Sequence, residues 1–386
     1  MRNPLVTRMA GFGSTIFAEM TQKALQFDAV NLGQGFPDTD GPQELLDIAR
    51  ESIASGLNQY SPAIGMPVLR QAVADHQRRF YGLDVDPDTE VLVTVGATEA
   101  IAASILGLVE PGEEVVTFEP FYDSYAASIA LAGAVRRTVP LHFPDLAVDE
   151  AALRAAFGPR TRAVLLNTPH NPTGKVFTRA ELELVAELAR EHDAVVIADE
   201  VYEHLTFDGS THVPIATLPG MAERTLTISS GGKTFSLTGW KVGWVHGPAE
   251  LLAAVRAVKQ FLTFVGSGPF QPAIAHGLAL PEEFFQGFAA ELQGKRDVLV
   301  EALTGAGLPV MPCQGTYFVI ADAAPLGVTD AVEFCRNMPE QVGVVGVPVS
   351  AFCDDPEPVR TLVRFAFCKR EEVLREGARR LRSLAP

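Results

Sequence analysis

From residue 91 to residue 245 the chain alternates short β-branched runs, most of them apolar throughout, with longer amphipathic ones, and few folds accommodate that rhythm. The short runs lie at 91–95, 114–118, 135–139, 163–167, 194–198, 225–229 and 242–245. A strand with one wet face alternates apolar and polar residues. A strand apolar throughout is buried on both faces, as in a parallel sheet covered by helices. Helical periodicity fills the gaps at 99–108, 125–132, 150–157 and 179–191, and Pro248 opens another helix through 249–261. The pattern predicts an α/β fold: a large, doubly wound, mostly parallel sheet domain over residues 45–280. Beyond Pro281 the order changes. A long amphipathic helix to about 303 is followed by a strand at 316–321, a helix at 330–337, strands at 343–347 and 362–367, and a basic helix from Glu371. This predicts a smaller α+β domain, 281–386. Residues 1–44 show little periodicity and read as an N-terminal arm joining the small domain.

Charge removes one class of function. Against 31 Lys and Arg stand 47 Asp and Glu, a net charge of −16, whereas general nucleic-acid binding needs a basic surplus. A local cationic pocket for a small anion is compatible with that balance. Cys313, Cys335, Cys353 and Cys368 form no C-x-x-C pair and read as free thiols in a reducing compartment. No uncharged apolar stretch reaches the ~20 residues of a membrane span, and residues 1–20 lack the apolar core of a signal peptide. The expectation is a soluble, cytoplasmic protein without membrane or nucleic-acid partners.

In an open α/β sheet, ligands bind at the carboxyl ends of the strands. The residues there are Gly96-Ala97-Thr98, Glu119 to Tyr122, Thr168 to Gly174, Asp199 to Tyr202 and Ser229 to Lys233. Gly232-Lys233-Thr234 is not the end of a P-loop, because Thr227 stands where that motif needs glycine. Gly11-Phe12-Gly13 and Gly33-Gln34-Gly35 do not extend to a dinucleotide fingerprint. Asp199 ends an apolar strand, where a carboxylate needs a cationic or hydrogen-bonding partner. Lys233 follows another, behind small residues that let a ligand approach the backbone. A partly desolvated lysine has a lowered pKa and can form a Schiff base. An amine and an acid at neighbouring strand ends are what pyridoxal phosphate requires, one for its aldehyde carbon and one for its ring nitrogen.

Several stretches carry a resemblance: 31–38 (NLGQGFPD), 58–60 (NQY), 93–99 (VTVGATE), 119–125 (EPFYDSY), 167–174 (NTPHNPTG), 199–202 (DEVY), 232–244 (GKTFSLTGWKVGW) and 363–369 (VRFAFCK). Together the chain resembles a fold-type I, class I/II pyridoxal-phosphate aminotransferase, of the kynurenine aminotransferase / N-succinyldiaminopimelate aminotransferase branch. The resemblance implies a homodimer with shared active sites and a cofactor cycling between pyridoxal 5′-phosphate and pyridoxamine 5′-phosphate. It makes Lys233 the Schiff-base lysine that moves the substrate proton, and Asp199 the partner of the ring nitrogen. Tyr202 and Asn171 would hydrogen-bond the ring's phenolic oxygen, and Tyr122 would stack on its face. The phosphate would sit on the amides of Ala97 and Thr98, where a helix begins near Thr98, with Ser230 and Lys241 beside it. Arg364 would grip the substrate carboxylate through its fork, with Gly35 against the same group. Tyr60 would reach the phosphate of the neighbouring subunit. His170 reads as structural, and no histidine spacing predicts a metal.

All members of that group pass an amino group between an L-amino acid and a 2-oxo acid, here with glutamate and 2-oxoglutarate as the expected second pair. Phe17, Thr98 and the Val265-Gly266 pair after Phe264 replace larger or more polar rings found in kynurenine aminotransferases. This leaves a roomier substrate pocket, with Phe17 and Phe264 as lining candidates. The stretch from Phe264 to Pro272 looks closer to N-succinyl-LL-diaminopimelate aminotransferases of lysine biosynthesis, and that substrate is the expectation. The alternative is a kynurenine, glutamine or methionine-type enzyme with cysteine-conjugate β-lyase activity, which the same lysine supports. A pyridoxal-phosphate domain of a transcription regulator fits neither the charge nor the early start of the resemblance.

Overall fold

The computed structural model describes residues 5–13 and 16–385, so the first four residues of the predicted arm lie outside it. The arm is more ordered than its sequence suggests. It forms helix α1 (Ile16–Gln26) and a short strand β1 (Val30–Asn31), whose partner is far along the chain. Helix α1 buries only Met20 and Ala24, too small a stripe to register as periodicity. Helices α2 (Gln43–Ala54) and α3 (Pro67–Tyr81) follow and lead to the main sheet.

The strands of that sheet are β2 (Val91–Val95), β3 (Glu114–Glu119), β4 (Val135–His142), β5 (Ala147–Val148), β6 (Thr161–Asn167), β7 (Val195–Asp199), β8 (Thr225–Ser230) and β9 (Val242–His246). Their spatial order is β2-β9-β8-β7-β6-β3-β4-β5. From β8 to β4 all pairings are parallel, while β9 runs antiparallel to both its neighbours and β5 antiparallel to β4. Because β9 is reversed twice over, β2 points the same way as β8, and the carboxyl ends of β2, β3, β6, β7 and β8 share one rim. Strand β4 departs from the expected all-apolar pattern: near the edge of the sheet it alternates exposed and covered residues and runs on to His142.

One face of the sheet is covered by α4 (Gly96–Leu108), α5 (Asp123–Ala132) and α9 (Ala249–Leu262). Ile101, Ile105 and Val255 pack there on Leu165, Ile197 and Val245. The other face carries α6 (Glu150–Ala156) and α7 (Arg179–Glu191), with Leu153, Leu182 and Val185 against Val116, Val164 and Val196. Each such side chain contributes about 1.5–3 kcal/mol on burial. Helix α7 shows why local sequence suffices here. Thr178 caps its start in a reciprocal box with Glu181, and its apolar stripe does the rest.

A four-residue turn of helix, α8 (Gly231–Thr234), follows β8 and carries Lys233. Past α10 (Gln271–Leu278), the long α11 (Glu282–Gly305) leads to β10 (Phe318–Asp322), α12 (Ala331–Gln341), β11 (Val344–Val345), β12 (Val347–Pro348), β13 (Leu362–Ala366) and α13 (Glu371–Leu381). The single strand expected at 343–347 is two. Strand β11 pairs in parallel with β1, and β12 pairs with β13, the chain switching partners at Gly346. A Cβ on Gly346 would meet Val363 at 2.6 Å and Phe365 at 2.8 Å, so only glycine lets the backbone pass there. Met20 and Leu32 join one apolar core with Val345, Phe365 and Leu374.

Candidate active site

A cavity of 440 Å³ opens at the shared rim, walled on its far side by β13 and the 31–36 segment. It brings together Phe17, Gly35, Ala97, Thr98, Tyr122, Asn171, Asp199, Tyr202, Ser230, Lys233, Lys241 and Arg364, all singled out from sequence. Two residues of that set, Tyr60 and Phe264, do not line it. They stack edge to face with each other at 5.4 Å and face solvent, 81% and 45% exposed.

Helix α4 begins at Gly96, two residues before the expected start, and its first-turn amides have no partner within the helix. Gly96 is at φ +72°, and a Cβ there would meet the Lys241 amine at 3.1 Å. On the adjoining strand, a Cβ at Gly243 would lie 2.5 Å from the Gly96 carbonyl carbon and 2.8 Å from the Ala97 nitrogen. Glycine at 243 therefore lets the helix start sit directly on β9. The Glu99 carboxylate turns away to the Val95 amide and the Thr263 hydroxyl. The resulting cradle presents amides, a helix dipole, the Ser230 hydroxyl and an ammonium group, a donor set suited to a phosphate.

Asp199, at the end of β7, is buried. It accepts from the Tyr125 hydroxyl at 2.6 Å and the Val201 amide at 3.3 Å. Burial nonetheless pushes its pKa from 3.8 up to about 6, so an ionised Asp199 calls for a cationic neighbour. Lys233 is pulled down to about 8 by burial, partly offset by Cys368 and Asp199. Its amine donates at 2.9 Å to the Tyr317 hydroxyl, which donates at 2.7 Å to the Gly35 carbonyl. Tyr202 lies against Tyr317, ring centroids 5.2 Å apart, and burial raises its phenol strongly. The Tyr122 phenol rises to about 12 for the same reason. Asn171 takes a bond from Arg364 on its carbonyl oxygen, 3.0 Å, so its amide protons can face the cavity. His170 is buried against Thr173, its pKa lowered to about 3 by burial.

Arg364 is only partly satisfied by its neighbours. It donates to Asn171 and, at 3.0 Å, to the Gly33 carbonyl, but its Nε has no hydrogen-bond partner among the described residues. Its charge sits among the rings of Phe318, Phe352 and Phe17, 4.0, 4.6 and 5.5 Å from their centroids. Burial lowers it to about 10, which a carboxylate ligand would reverse.

Sequence reading missed several residues that set this geometry. Tyr125 holds Asp199, and Asn167 bonds both the Asp199 carbonyl and the Asn171 amide. Tyr317, Phe318 and Phe352 hold Lys233 and Arg364. Tyr125 and Asn167 sit inside motifs already noted, so their neighbours were a signal. Nothing local marks the other three.

The residues present fit pyridoxal phosphate. The cradle suits its phosphate, the buried Asp199 its protonated ring nitrogen, and the desolvated Lys233 its aldehyde. The fold is that of the fold-type I aminotransferases, a pyridoxal-phosphate-dependent class. The profile of the class I and II aminotransferases matches residues 28–381, and the chain belongs to that family. It is 53% identical to a probable N-succinyldiaminopimelate aminotransferase of Mycobacterium tuberculosis, over 98% of each chain. It is 42% identical to the methionine aminotransferase of Escherichia coli, over 99% of each. The solved structure of N-succinyldiaminopimelate aminotransferase from Mycobacterium tuberculosis superposes with a TM-score of 0.97 at 54% identity, covering 99% of this chain and 100% of that one. The protein is an aminotransferase, and its family and fold are pyridoxal-phosphate-dependent.

Proposed function

We propose that the chain transfers the amino group between N-succinyl-LL-diaminopimelate and the glutamate/2-oxoglutarate pair. The likeness to the mycobacterial enzyme along nearly the whole chain carries this choice of substrate. A methionine-type enzyme is the second reading, favoured by the Escherichia coli relative and by the ring-lined wall around Arg364.

Bound in the cavity, pyridoxal phosphate supplies an aldehyde that condenses with amines and a protonated ring that withdraws electrons from the substrate Cα. The chain does the rest. Asp199, fixed by Tyr125, keeps the proton on the ring nitrogen. Arg364 binds the substrate carboxylate, and the Phe17, Phe318 and Phe352 rings keep water from that ion pair. Lys233, its pKa lowered by burial to about 8, is more readily neutral than a free lysine and takes and returns the Cα proton at Nζ. Asn171 orients Arg364 through its amide oxygen, and its amide nitrogen, with the Tyr202 hydroxyl beside it, would bond the ring oxygen of the bound cofactor.

Tyr60 and Phe264 pack on each other at the surface, and Leu57, Phe261 and Leu262 nearby in sequence are exposed as well, Phe261 at 84%. We assign these residues to a homodimer interface that carries Tyr60 to the partner's phosphate cradle. The division into an arm (1–44), a large domain (45–280) and a small domain (281–386), and a cytoplasmic location, belong to the same reading. Among the described residues no helix is long and apolar enough to cross a membrane.

The test is single-turnover absorbance on the pyridoxal form, mixed separately with N-succinyl-LL-diaminopimelate, glutamate, kynurenine and methionine, with Lys233→Ala as the inactive control. Fast conversion to the pyridoxamine spectrum by the first two alone supports the proposal. Conversion by methionine or kynurenine, with none by the succinylated substrate, replaces it with the second reading.

A further inference from the structure

Four of the eight histidines, His76, His204, His212 and His246, gather with Glu200, Glu203, Tyr81 and Ser229 behind the cofactor-binding strands. The transamination described above uses none of them. The imidazoles of His76 and His204 meet Nε2 to Nε2 at 2.8 Å. His76, Glu203 and His204 each present one ligand atom, all within 4.8 Å of one another. Glu203 also accepts from the Ser229 hydroxyl at 2.8 Å and bonds the Tyr81 phenol. A carboxylate has about four lone-pair positions, so these donors orient it and leave room for a further partner.

As a purely polar cluster this group is poorly satisfied. Glu200 and Glu203 are both 5% exposed or less. Glu200 bonds His212 at 3.0 Å, yet its Oε1, the His212 Nδ1 and the His246 Nε2 have no hydrogen-bond partner among the described residues. Two imidazoles and a buried carboxylate converging in this way are a ligand set that metal sites use. His76 also lines a surface groove with Arg79, Pro272 and His276, which gives a small ion a way in.

We propose that His76, His204 and Glu203 form a binding site for a divalent transition metal of the zinc type. Two imidazoles and a carboxylate suit zinc or cobalt, with metal–ligand distances of about 2.0–2.2 Å. Tetrahedral geometry at those lengths separates the two nitrogens by roughly 3.3 Å, so the rings open by about half an ångström from their present contact. The imidazole that now donates must carry its proton on Nδ1 instead. His76 and His204 stand 128 residues apart in sequence, which is why no ligand spacing announces the site. Ser229 and Ser230 point to opposite faces of β8, so the metal lies across the strand from the phosphate cradle and would be structural rather than catalytic.

The probe is Co²⁺ added to chelator-treated apoprotein and holoprotein, followed by visible absorption and calorimetry, with Zn²⁺ as competitor. The expected result is one equivalent per chain with the intense visible bands of low-coordinate cobalt, displaced by Zn²⁺. Affinity should fall at least a hundredfold in His76→Gln and in His204→Gln, and stay unchanged in His276→Gln, a groove-side control. Circular dichroism establishes that each variant is folded. If a variant does not fold, anomalous diffraction from zinc-soaked wild-type crystals decides: a peak between His76, His204 and Glu203 supports the site, and a peak elsewhere or none overturns it. Absence of saturable binding, or binding indifferent to both substitutions in folded protein, also overturns it. None of these readouts involves turnover, so failure of the substrate proposal would leave them untouched.

Discussion

Replacing Asp199 by Asn should stabilise the cofactor-free protein while crippling the enzyme. Asp199 is wholly buried, and burial raises its pKa from 3.8 to about 6 despite the Tyr125 and Val201 hydrogen bonds. Below pH 3.8 the carboxyl group is neutral in both folded and unfolded chains, and its burial carries no ionisation cost. As pH rises through about 6, the folded chain must hold a charge that the unfolded chain keeps in water. At about 1.4 kcal/mol for each pH unit of the gap, the cost reaches about 3 kcal/mol above pH 7 and falls below about 1 kcal/mol at pH 4. Asparagine keeps the shape and can bond the Tyr125 oxygen, so it escapes most of this cost. Urea unfolding of the apoprotein at pH 4 and pH 8 measures the difference. The variant should gain on the order of 1–3 kcal/mol at pH 8 and little at pH 4. Cofactor affinity and turnover should both drop, because the ring nitrogen loses its counter-charge. Equal stability at pH 8, or the same gain at both pH values, would refute the argument that Asp199 is a buried charge awaiting a cation.

Arg364→Ala should lower kcat/KM for amino and oxo acids by roughly thirtyfold to several-thousandfold, the equivalent of about 2–5 kcal/mol for a buried ion pair, mostly through KM; an unaltered KM for every substrate would remove Arg364 from carboxylate binding. Gly243→Ala forces a Cβ within 2.8 Å of the start of α4 and should weaken cofactor binding at least tenfold in equilibrium dialysis. Gly158→Ala, with nothing within 4 Å of the added carbon, should leave it unchanged. Tyr317→Phe removes the oxygen that accepts from the Lys233 amine and should move its pKa below about 8. Competitive acylation of Lys233 in the apoprotein against pH reads this shift, and an unmoved midpoint would show that the hydroxyl does not tune the amine.

The sheet was legible because burial on both faces is written into the residues of its central strands, with β4, near the edge, excepted. Val91–Val95 and Val242–His246 stand almost where apolar runs placed them. The strand-end side of the cavity was legible for a related reason: its lining residues lie at strand ends, and local motifs mark strand ends. Helix α1 was not, because two buried residues make too faint a stripe. The reversal of β9 was not, because a run buried on both faces reads the same in either direction.

What the sequence by itself determined is therefore most strands of the main sheet, the helices between them and the chemical groups at the strand tips. Tertiary structure alone decided which of those groups meet. Arg364 reaches the Gly33 carbonyl across 331 residues and Lys233 reaches Tyr317 across 84. His76 likewise meets His204 only because α3 packs near the turn after β7. Such contacts leave no periodicity behind. Each partner satisfies its own local pattern, and the bond between them exists only once the chain has paid the entropy of bringing distant segments together.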